Sequence, residues 1–258
     1  SVLFTYTSCE KDEPEAPELP PLEAFAMDFS DFSNPNYAMA SKKSATDPYY
    51  NFGYSFVTVT AWNTVATLVM AIPTATYAAA LNDTPEYLGD NTWEWNFNAQ
   101  VQSFSYSARL VATRISNEEF KAEMFVSSSS SVFASFEDFK WFEGVIRYDH
   151  THASWTLYES PSNPTALLTM EWNKDFETGL WDITYTNVKQ GAAESGSYIK
   201  FEVTDDSQYD ARYTISSNEG MVKIEWNRET KAGRVMSPIF FEDSLWRCWN
   251  ALLQNTEC

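Results

Sequence analysis

Two histidines, His150 and His152, are the side chains best suited to proton transfer or metal binding near neutral pH, and the chain has no others. On a strand they would share one face and Asp149 would point to the other, because successive side chains alternate. A metal would then need carboxylates from neighbouring strands. We instead interpret this segment as a turn between a strand that ends at Tyr148 and one that begins near Ser154, and we predict neither a metal site nor a cofactor.

Other catalytic patterns are missing from the sequence. It has no Gly-x-Ser-x-Gly elbow, no His-Glu-x-x-His helix and no glycine-rich phosphate loop. Its 36 acidic residues leave a carboxylate pair for glycoside hydrolysis open, since the required separation is three-dimensional. We therefore do not predict an enzyme, and a hydrolase stays an alternative.

The first 22 residues combine an apolar run, a single cysteine and an acidic segment rich in proline. Thr7, Ser8 and Cys9 resemble the lipobox of bacterial lipoproteins, whose cysteine becomes the lipidated first residue of the mature chain. The acidic residues after Cys9 resemble the signal with which Bacteroidota send lipoproteins to the cell surface. The resemblance implies a multiply acylated Cys9, since one acyl chain gives only marginal membrane binding. Residues 1–8 are then a signal-peptide remnant and residues 9–22 a tether.

This resemblance also implies a location and a cysteine pairing. It places the protein on the bacterial outer membrane, exposed at the cell surface, with the periplasmic face as the alternative. If Cys9 carries lipid, Cys248 and Cys258 remain in a compartment where disulfides persist, and we predict that they pair. Two free thiols are the alternative.

Composition limits the partners. The net charge of −19 argues against nucleic acid, because affinity for phosphates depends on clustered Lys and Arg. It also disfavours adsorption to an anionic membrane surface. The longest apolar run, residues 56–81, is interrupted by threonines, Asn63 and Pro73, so we do not predict a transmembrane helix. The chain is long enough for one large β domain or two small domains, and with 44% hydrophobic residues it can build a core.

Hydrophobic periodicity sets the expected elements. Apolar spacing of three and four predicts a helical unit over residues 55–81, broken or kinked at Pro73. From about 92 to 237 the period is two, which predicts about ten antiparallel strands in a meander. A short alternation at residues 25–29 predicts one edge or cover strand, and residues 242–254 predict a C-terminal helix.

The predicted fold is a single mainly β domain over residues 23–258, in which the sheet curls into a half-barrel or open barrel because strand twist accumulates. The early helical unit would plug its concave side. This element order resembles the lipid-carrier lipoproteins of the LolA type. The resemblance implies an apolar cavity between helix and sheet. The residues expected to line it are Trp62, Met70, Phe97, Met124, Met170 and Trp181.

Two kinds of function follow. The first is a non-catalytic, lipid-anchored binding or scaffold protein that holds a hydrophobic molecule in this cavity. The second is a surface module with a solid core that binds glycans or proteins. Exposed rows of aromatic residues would favour the second, and an unfilled apolar interior the first.

Overall fold

The structure is a computed structural model that describes residues 13–33, 46–129 and 135–258. Cys9 and the start of the expected tether lie outside the described residues. Within them, fourteen antiparallel strands form one sheet in sequence order, without closing into a barrel. The strands are β1 (Glu86–Gly89), β2 (Thr92–Val101), β3 (Phe104–Arg114), β4 (Glu119–Ser128), β5 (Phe136–Arg147), β6 (His152–Ser160), β7 (Asn163–Lys174), β8 (Trp181–Asn187), β9 (Tyr198–Val203), β10 (Ala211–Ser217), β11 (Gly220–Trp226), β12 (Gly233–Met236), β13 (Arg247–Trp249) and β14 (Asn255–Thr256).

The alternation in the sequence places one face of each strand in the core. In β4 every second residue is buried, and Met124 pairs with Leu110 of β3 and Phe142 of β5 on the same face. The lysine and glutamate between them, Lys121 and Glu123, lie on the convex face. The predicted class, a mainly β antiparallel meander in an open half-barrel with a helix, is confirmed. The strands outnumber the predicted ten because β1 and β12–β14 are too short to show a period.

A single long helix, α1 (Tyr50–Ala80), spans the open side of the half-barrel. Its N-terminal part contacts β12–β14 at one sheet edge, and its C-terminal part contacts β2 near the other. Phe52 and Val59 are buried near the first end, and Tyr77 near the second. Between them the outer side of the helix is exposed, with Val65 at 57% and Leu68 at 76% of full exposure. The inner side of this middle part contacts the core through residues such as Trp62, Val69 and Met70.

The predicted break at Pro73 is wrong, because α1 continues through this residue. Proline inside a helix costs about 3 kcal/mol, since it lacks an N–H and clashes with the preceding turn. Met70 before it and Tyr77 after it are both buried. Thr76 also donates hydrogen bonds to the carbonyls of Ile72 and Pro73 at 3.0 Å. Packing on both sides of the proline outweighs its local cost.

The continuous helix also corrects the expectation about membrane spans. By length and composition alone, α1 is long and apolar enough to cross a membrane, although only 22% of its most apolar stretch is buried in this fold. It contains no acidic or basic residue from Tyr50 to Ala80. A helix that is apolar on all sides usually lies in a core or a bilayer. The exposed middle of α1 is therefore a candidate surface for binding.

Residues 14–32, which we call the N-terminal strap, run between α1 and the concave face of the sheet. The strap contains two short 3-10 turns, Leu22–Ala24 and Ser30–Phe32, and forms no strand, so the predicted edge strand is wrong. Leu19 is already buried within it, so the fold begins earlier than the predicted boundary at residue 23. The alternation of Phe25, Met27 and Phe29 therefore reflects burial against side chains and not pairing in the sheet.

Buried aromatic side chains fasten the strap through their polar tips. The hydrogen bonds join Trp93 Nε1 to Pro14 O (3.2 Å), Tyr77 Oη to Pro20 O (2.8 Å), Trp155 Nε1 to Ala24 O (3.0 Å), Tyr185 Oη to Phe25 O (3.0 Å), Tyr213 Oη to Asp28 O (2.5 Å) and Trp226 Nε1 to Asp31 Oδ2 (2.9 Å). Each bond pairs the N–H or O–H donor of an aromatic side chain with an oxygen atom of the strap. The strap needs such partners because it forms no strand of the sheet. The strap thus fills the centre of the half-barrel.

The predicted C-terminal helix over residues 242–254 is wrong. A one-turn helix, α2 (Pro238–Phe241), stops where Glu242 takes φ +60°, and β13 and β14 follow as a hairpin. The predicted disulfide is present, with the Cα atoms of Cys248 and Cys258 5.2 Å apart. Trp249 is buried, whereas Leu252 is 73% exposed. The predicted helix would have placed both side chains on one buried face.

The C-terminal hairpin also caps α1. Asn51 donates its backbone N–H to Asn255 Oδ1 at 3.0 Å and its side-chain amide to Cys248 O at 2.8 Å. The N-cap residue Tyr49 provides no side-chain cap of its own. An orphan N–H of the first turn is therefore satisfied from a strand about 200 residues away in sequence.

Candidate functional site

Two cavities lie beneath the exposed middle of α1, one on each flank. The first has a volume of about 390 Å³ and the second about 360 Å³, and both are partly open to solvent. They share Ala66 of α1 and Tyr185 of β8. The first cavity is lined by Ala61, Trp62, Val65, Ala66, Val69, Leu167, Leu168, Tyr185, Asn187, Glu194 and Ser197.

The walls of the first cavity are mainly apolar. One wall is the underside of α1, where Ala61 and Ala66 leave space because their side chains are short. The facing wall is the start of β7, at Leu167 and Leu168. Its size and apolar lining match the range of pockets for small hydrophobic ligands, roughly 300–1,000 Å³.

Tyr185 closes the inner end of this cavity. Its hydroxyl donates to Phe25 O at 3.0 Å and accepts from the backbone N–H of Met27 at 2.7 Å. Burial raises the pKa of Tyr185 well above its ordinary value, despite the opposing hydrogen bond from Met27. The phenol is therefore a neutral structural group that joins the strap to the sheet, and it is not poised to act as a base.

Polar side chains occur at one end of the first cavity. They come from the end of β8 and the loop before β9, at Asn187, Glu194 and Ser197. Ser197 is buried and donates its hydroxyl to Glu194 Oε2 at 2.7 Å. The site is thus an apolar groove with a polar mouth, an arrangement suited to a molecule with an apolar body and a polar end.

The second cavity lies on the opposite flank of α1, against the strap. Ala26, Met27 and Phe29 form its strap side, and small residues of α1 such as Ala71 and Ala75 form the other. The polar side chains that α1 contributes to its lining are Asn63, Thr67 and Thr74, and the lining contains no carboxylate. Together the two cavities extend along the middle of α1, from Ala61 to Ala78.

The six residues expected to line a cavity divide into two groups. Trp62 lines the first cavity and Met70 the second. Phe97 and Trp181 are half-buried and pack against the core, and Met124 and Met170 are fully buried within it, so none of these four lines either cavity. Met124 and Met170 do lie on the buried face of their strands, as the alternation indicates. They are covered because the strap and aromatic side chains fill the centre of the half-barrel.

The sequence did not indicate the leucines of β7 or the polar mouth. Leu167 and Leu168 lie in the first half of β7, and the clearer alternation of buried and exposed residues is in its second half. Glu194 lies in a segment interpreted only as a loop, between Gly191 and Gly196. No local pattern distinguishes this glutamate from the other acidic residues of the chain.

His150 lies in the expected turn, whereas His152 is the first residue of β6. Both side chains bond to other parts of the chain. His150 takes φ +53° between β5 and β6, and its Nε2 is 2.9 Å from Glu18 O. His152 Nδ1 is 2.9 Å from Asn173 Oδ1, and its Nε2 is 3.5 Å from a carboxylate oxygen of Glu171. In the described part of the chain, no group of three or more histidine, cysteine or acidic residues is arranged to hold a metal ion.

The tryptophans are not arranged as a sugar-binding surface. All ten tryptophans lie in the described ranges, and none of them is exposed. Seven are buried, while Trp62, Trp181 and Trp246 are half-buried. Their burial indicates that these side chains pack in the protein interior and are not free to stack on a glycan.

A cluster of charges on the convex face is satisfied internally. Glu143 is 2.8 Å from both Lys121 Nζ and Lys140 Nζ and accepts a hydrogen bond of 2.5 Å from Tyr158. Burial alone would raise the pKa of Glu143, but these hydrogen bonds outweigh it and lower the pKa to about 2. Because each charge has a partner, the cluster is a structural feature of the outer face.

This cluster predicts a specific dependence of stability on pH. A carboxylate whose pKa falls from 4.5 to about 2 on folding stabilises the fold above pH 4.5, and this contribution is lost as the pH falls towards 2. In Glu143→Gln we expect the loss of unfolding free energy between pH 7 and pH 2 to be smaller by about 1–2 kcal/mol, after allowance for solvent screening. Urea unfolding at both pH values measures it. The exposed Glu137→Gln is the control, and an equal change in both variants would contradict the prediction.

Comparisons of this chain with protein-family models, with curated proteins and with solved structures gave no match.

Proposed function

We propose that this protein binds a hydrophobic small molecule beneath α1 and has no catalytic role. The observation that carries the proposal is the apolar first cavity of about 390 Å³, which lies under the middle of an uncharged helix whose outer side is exposed. Burying the apolar part of a ligand there would yield roughly 25 cal/mol for each Å² removed from water. The ligand would also cover part of the exposed middle of α1.

The proposed setting is the bacterial cell envelope. The lipobox-like Thr7, Ser8 and Cys9 support a lipid anchor, and the early helix followed by a β meander resembles lipid carriers of the LolA type. Because the strap fills the centre of the half-barrel, the proposed ligand occupies the flanks of α1 and not the whole concave face. Among the described residues no tryptophan is exposed, which gives the glycan-binding alternative less support. A surface module that binds glycans or proteins stays the alternative.

Filling the cavity tests this function. Ala66 lines both cavities, so Ala66→Trp places a large side chain in the space assigned to the ligand. Thr64 is exposed on the same helix and lines neither cavity, so Thr64→Trp is the matched control. With N-phenyl-naphthylamine, an uncharged apolar fluorophore, we expect saturable binding to the unaltered protein and to Thr64→Trp, and binding at least about tenfold weaker in Ala66→Trp, a loss of roughly 1.4 kcal/mol.

Two results would overturn the proposal. The first is the absence of saturable binding to the unaltered protein. The second is equal affinity in Ala66→Trp and Thr64→Trp, which would place the fluorophore elsewhere. Circular dichroism and urea unfolding of both variants distinguish lost binding from lost folding.

A further inference from the structure

The polar mouth of the first cavity carries a single ionised group. Glu194 is the one acidic or basic residue among those that line the cavity, and the buried phenol of Tyr185 stays neutral. Oε2 of Glu194 accepts a hydrogen bond of 2.7 Å from Ser197, whose residue is 4% exposed. The carboxylate is therefore placed at the cavity by a buried neighbour.

The loop that carries Glu194 is fixed from two sides. Gly196 donates its backbone N–H to Asn187 O at 2.7 Å, and Asn187 donates to Ser197 O at 2.9 Å. The side-chain amide of Asn218, in the turn between β10 and β11, donates to Ala193 O. The loop is thus bonded both to the end of β8 and to a neighbouring turn, and its carboxylate is pre-organised at the mouth.

No cation in the lining compensates this carboxylate. Lys189, which precedes it in the same loop, does not line the cavity, and its Nζ is 2.7 Å from Glu159 Oε1. A ligand with an anionic head group would therefore meet a like charge in a protein whose net charge is already −19. A hydroxyl or ammonium head group could instead donate a hydrogen bond to Glu194.

We infer that the first cavity selects amphiphiles with one apolar chain and an uncharged hydroxyl or a cationic amine head group, and that Glu194 rejects those with an anionic head group. This inference rests on the proposed function, since it concerns the polar end of the same ligand. It assigns Glu194 as a specificity-determining residue. Ser197 is the residue that positions it.

Three amphiphiles with the same chain test the selection. Dodecanol, dodecylamine and dodecanoate differ only in the head group, and each is used below its micellar concentration to displace N-phenyl-naphthylamine. For the unaltered protein we expect dodecanol to bind about fivefold more tightly than dodecanoate, the size of effect that an exposed charge produces. Dodecylamine should bind at least as tightly as dodecanol.

Two charge-matched variants separate the local carboxylate from the net charge. Glu194→Gln should bring dodecanoate to within about twofold of dodecanol, because the like charge at the mouth is removed. Glu177→Gln removes the same charge from an exposed turn between β7 and β8 that does not line the cavity, and it should keep the fivefold preference. The comparison of dodecanol with dodecanoate is the decisive one, because dodecylamine is also attracted by the net negative charge.

The outcomes distinguish the two proposals. Displacement without preference for dodecanol, or equal effects of Glu194→Gln and Glu177→Gln, would overturn the selection and leave the hydrophobic site intact. If none of the three amphiphiles displaces the fluorophore, the selection is overturned, and the proposed function is decided separately by fluorophore binding to the unaltered protein, Ala66→Trp and Thr64→Trp.

Discussion

Replacing Phe25 with alanine is expected to lower the free energy of unfolding by about 3–5 kcal/mol, the usual cost of removing a buried phenylalanine. Phe25 is fully buried, although it lies in an irregular segment. Its ring stacks on Tyr77 of α1 at 4.7 Å between centroids and contacts Phe142 at 4.6 Å and Trp155 at 5.3 Å. The ring therefore joins the strap, the helix and the sheet, and its loss leaves a cavity among three rigid neighbours.

Urea unfolding of the variant measures this loss. Leu22→Ala is the control, because Leu22 belongs to the same strap and is 37% exposed. We expect the control to lose less than about 1 kcal/mol. If Phe25→Ala lost no more than Leu22→Ala, the strap would not be part of the cooperative core.

The second large effect is expected on the convex face, in Glu225→Gln. The carboxylate of Glu225 is 6% exposed and lies 2.7 Å from Arg212 Nε and 2.6 Å from Arg234 Nη2. The guanidinium of Arg234 also lies over the rings of Tyr209, at 4.7 Å, and Trp246, at 4.3 Å. Removing the shared negative charge leaves two neighbouring arginines, of which Arg212 keeps a 3.9 Å contact with Glu202. We expect a loss of about 2–4 kcal/mol, since both arginines can regain some water.

Glu202→Gln provides the matched control. Glu202 lies on β9, pairs with Lys200 at 3.0 Å and also contacts Arg212 at 3.9 Å. It belongs to the same charge network as Glu225, but it is 24% exposed, so its ion pairs are closer to solvent. We expect it to lose less than about 1 kcal/mol in the same urea experiment. Equal losses in the two variants would show that burial of Glu225 between the arginines adds nothing to its contribution.

These two positions also bear on the proposed binding site. Phe25 fixes the strap beside Tyr185, the residue that closes the inner end of both cavities. Glu225 is remote from the cavity lining and acts on the opposite face of the sheet. Comparison of fluorophore affinity in the two variants, under conditions where both are folded, therefore relates the strap to the site independently of global stability.

The sequence by itself determined the sheet and the presence of the helix. Alternation along segments such as Phe120–Val126 identifies a strand with one buried face, because side chains on a strand point to opposite sides in turn. The connection order followed from the short spacing of these segments, which leaves room only for hairpins. The pairing of Cys248 with Cys258 was predicted from the number of cysteines and the expected lipid on Cys9.

The tertiary structure alone decided the elements at the two chain ends. Phe25, Met27 and Phe29 alternate with other residues as the buried side chains of a strand do. Their backbone nevertheless lies across the sheet and accepts hydrogen bonds from aromatic side chains, such as the hydroxyl of Tyr185. The spacing of Trp246 and Trp249 imitates a helix, but pairing with β12 and the disulfide produce a hairpin. In both places contacts distant in sequence outweighed a short local pattern.

The same limit applies to the cavities. Periodicity tells which face of a strand or helix a side chain occupies, and it placed Met124 and Met170 on the buried face correctly. It does not tell which other segment will cover that face, because this depends on contacts between residues far apart in the chain. Only the path of the strap decided that the centre of the half-barrel is filled, and that open space remains along the flanks of α1.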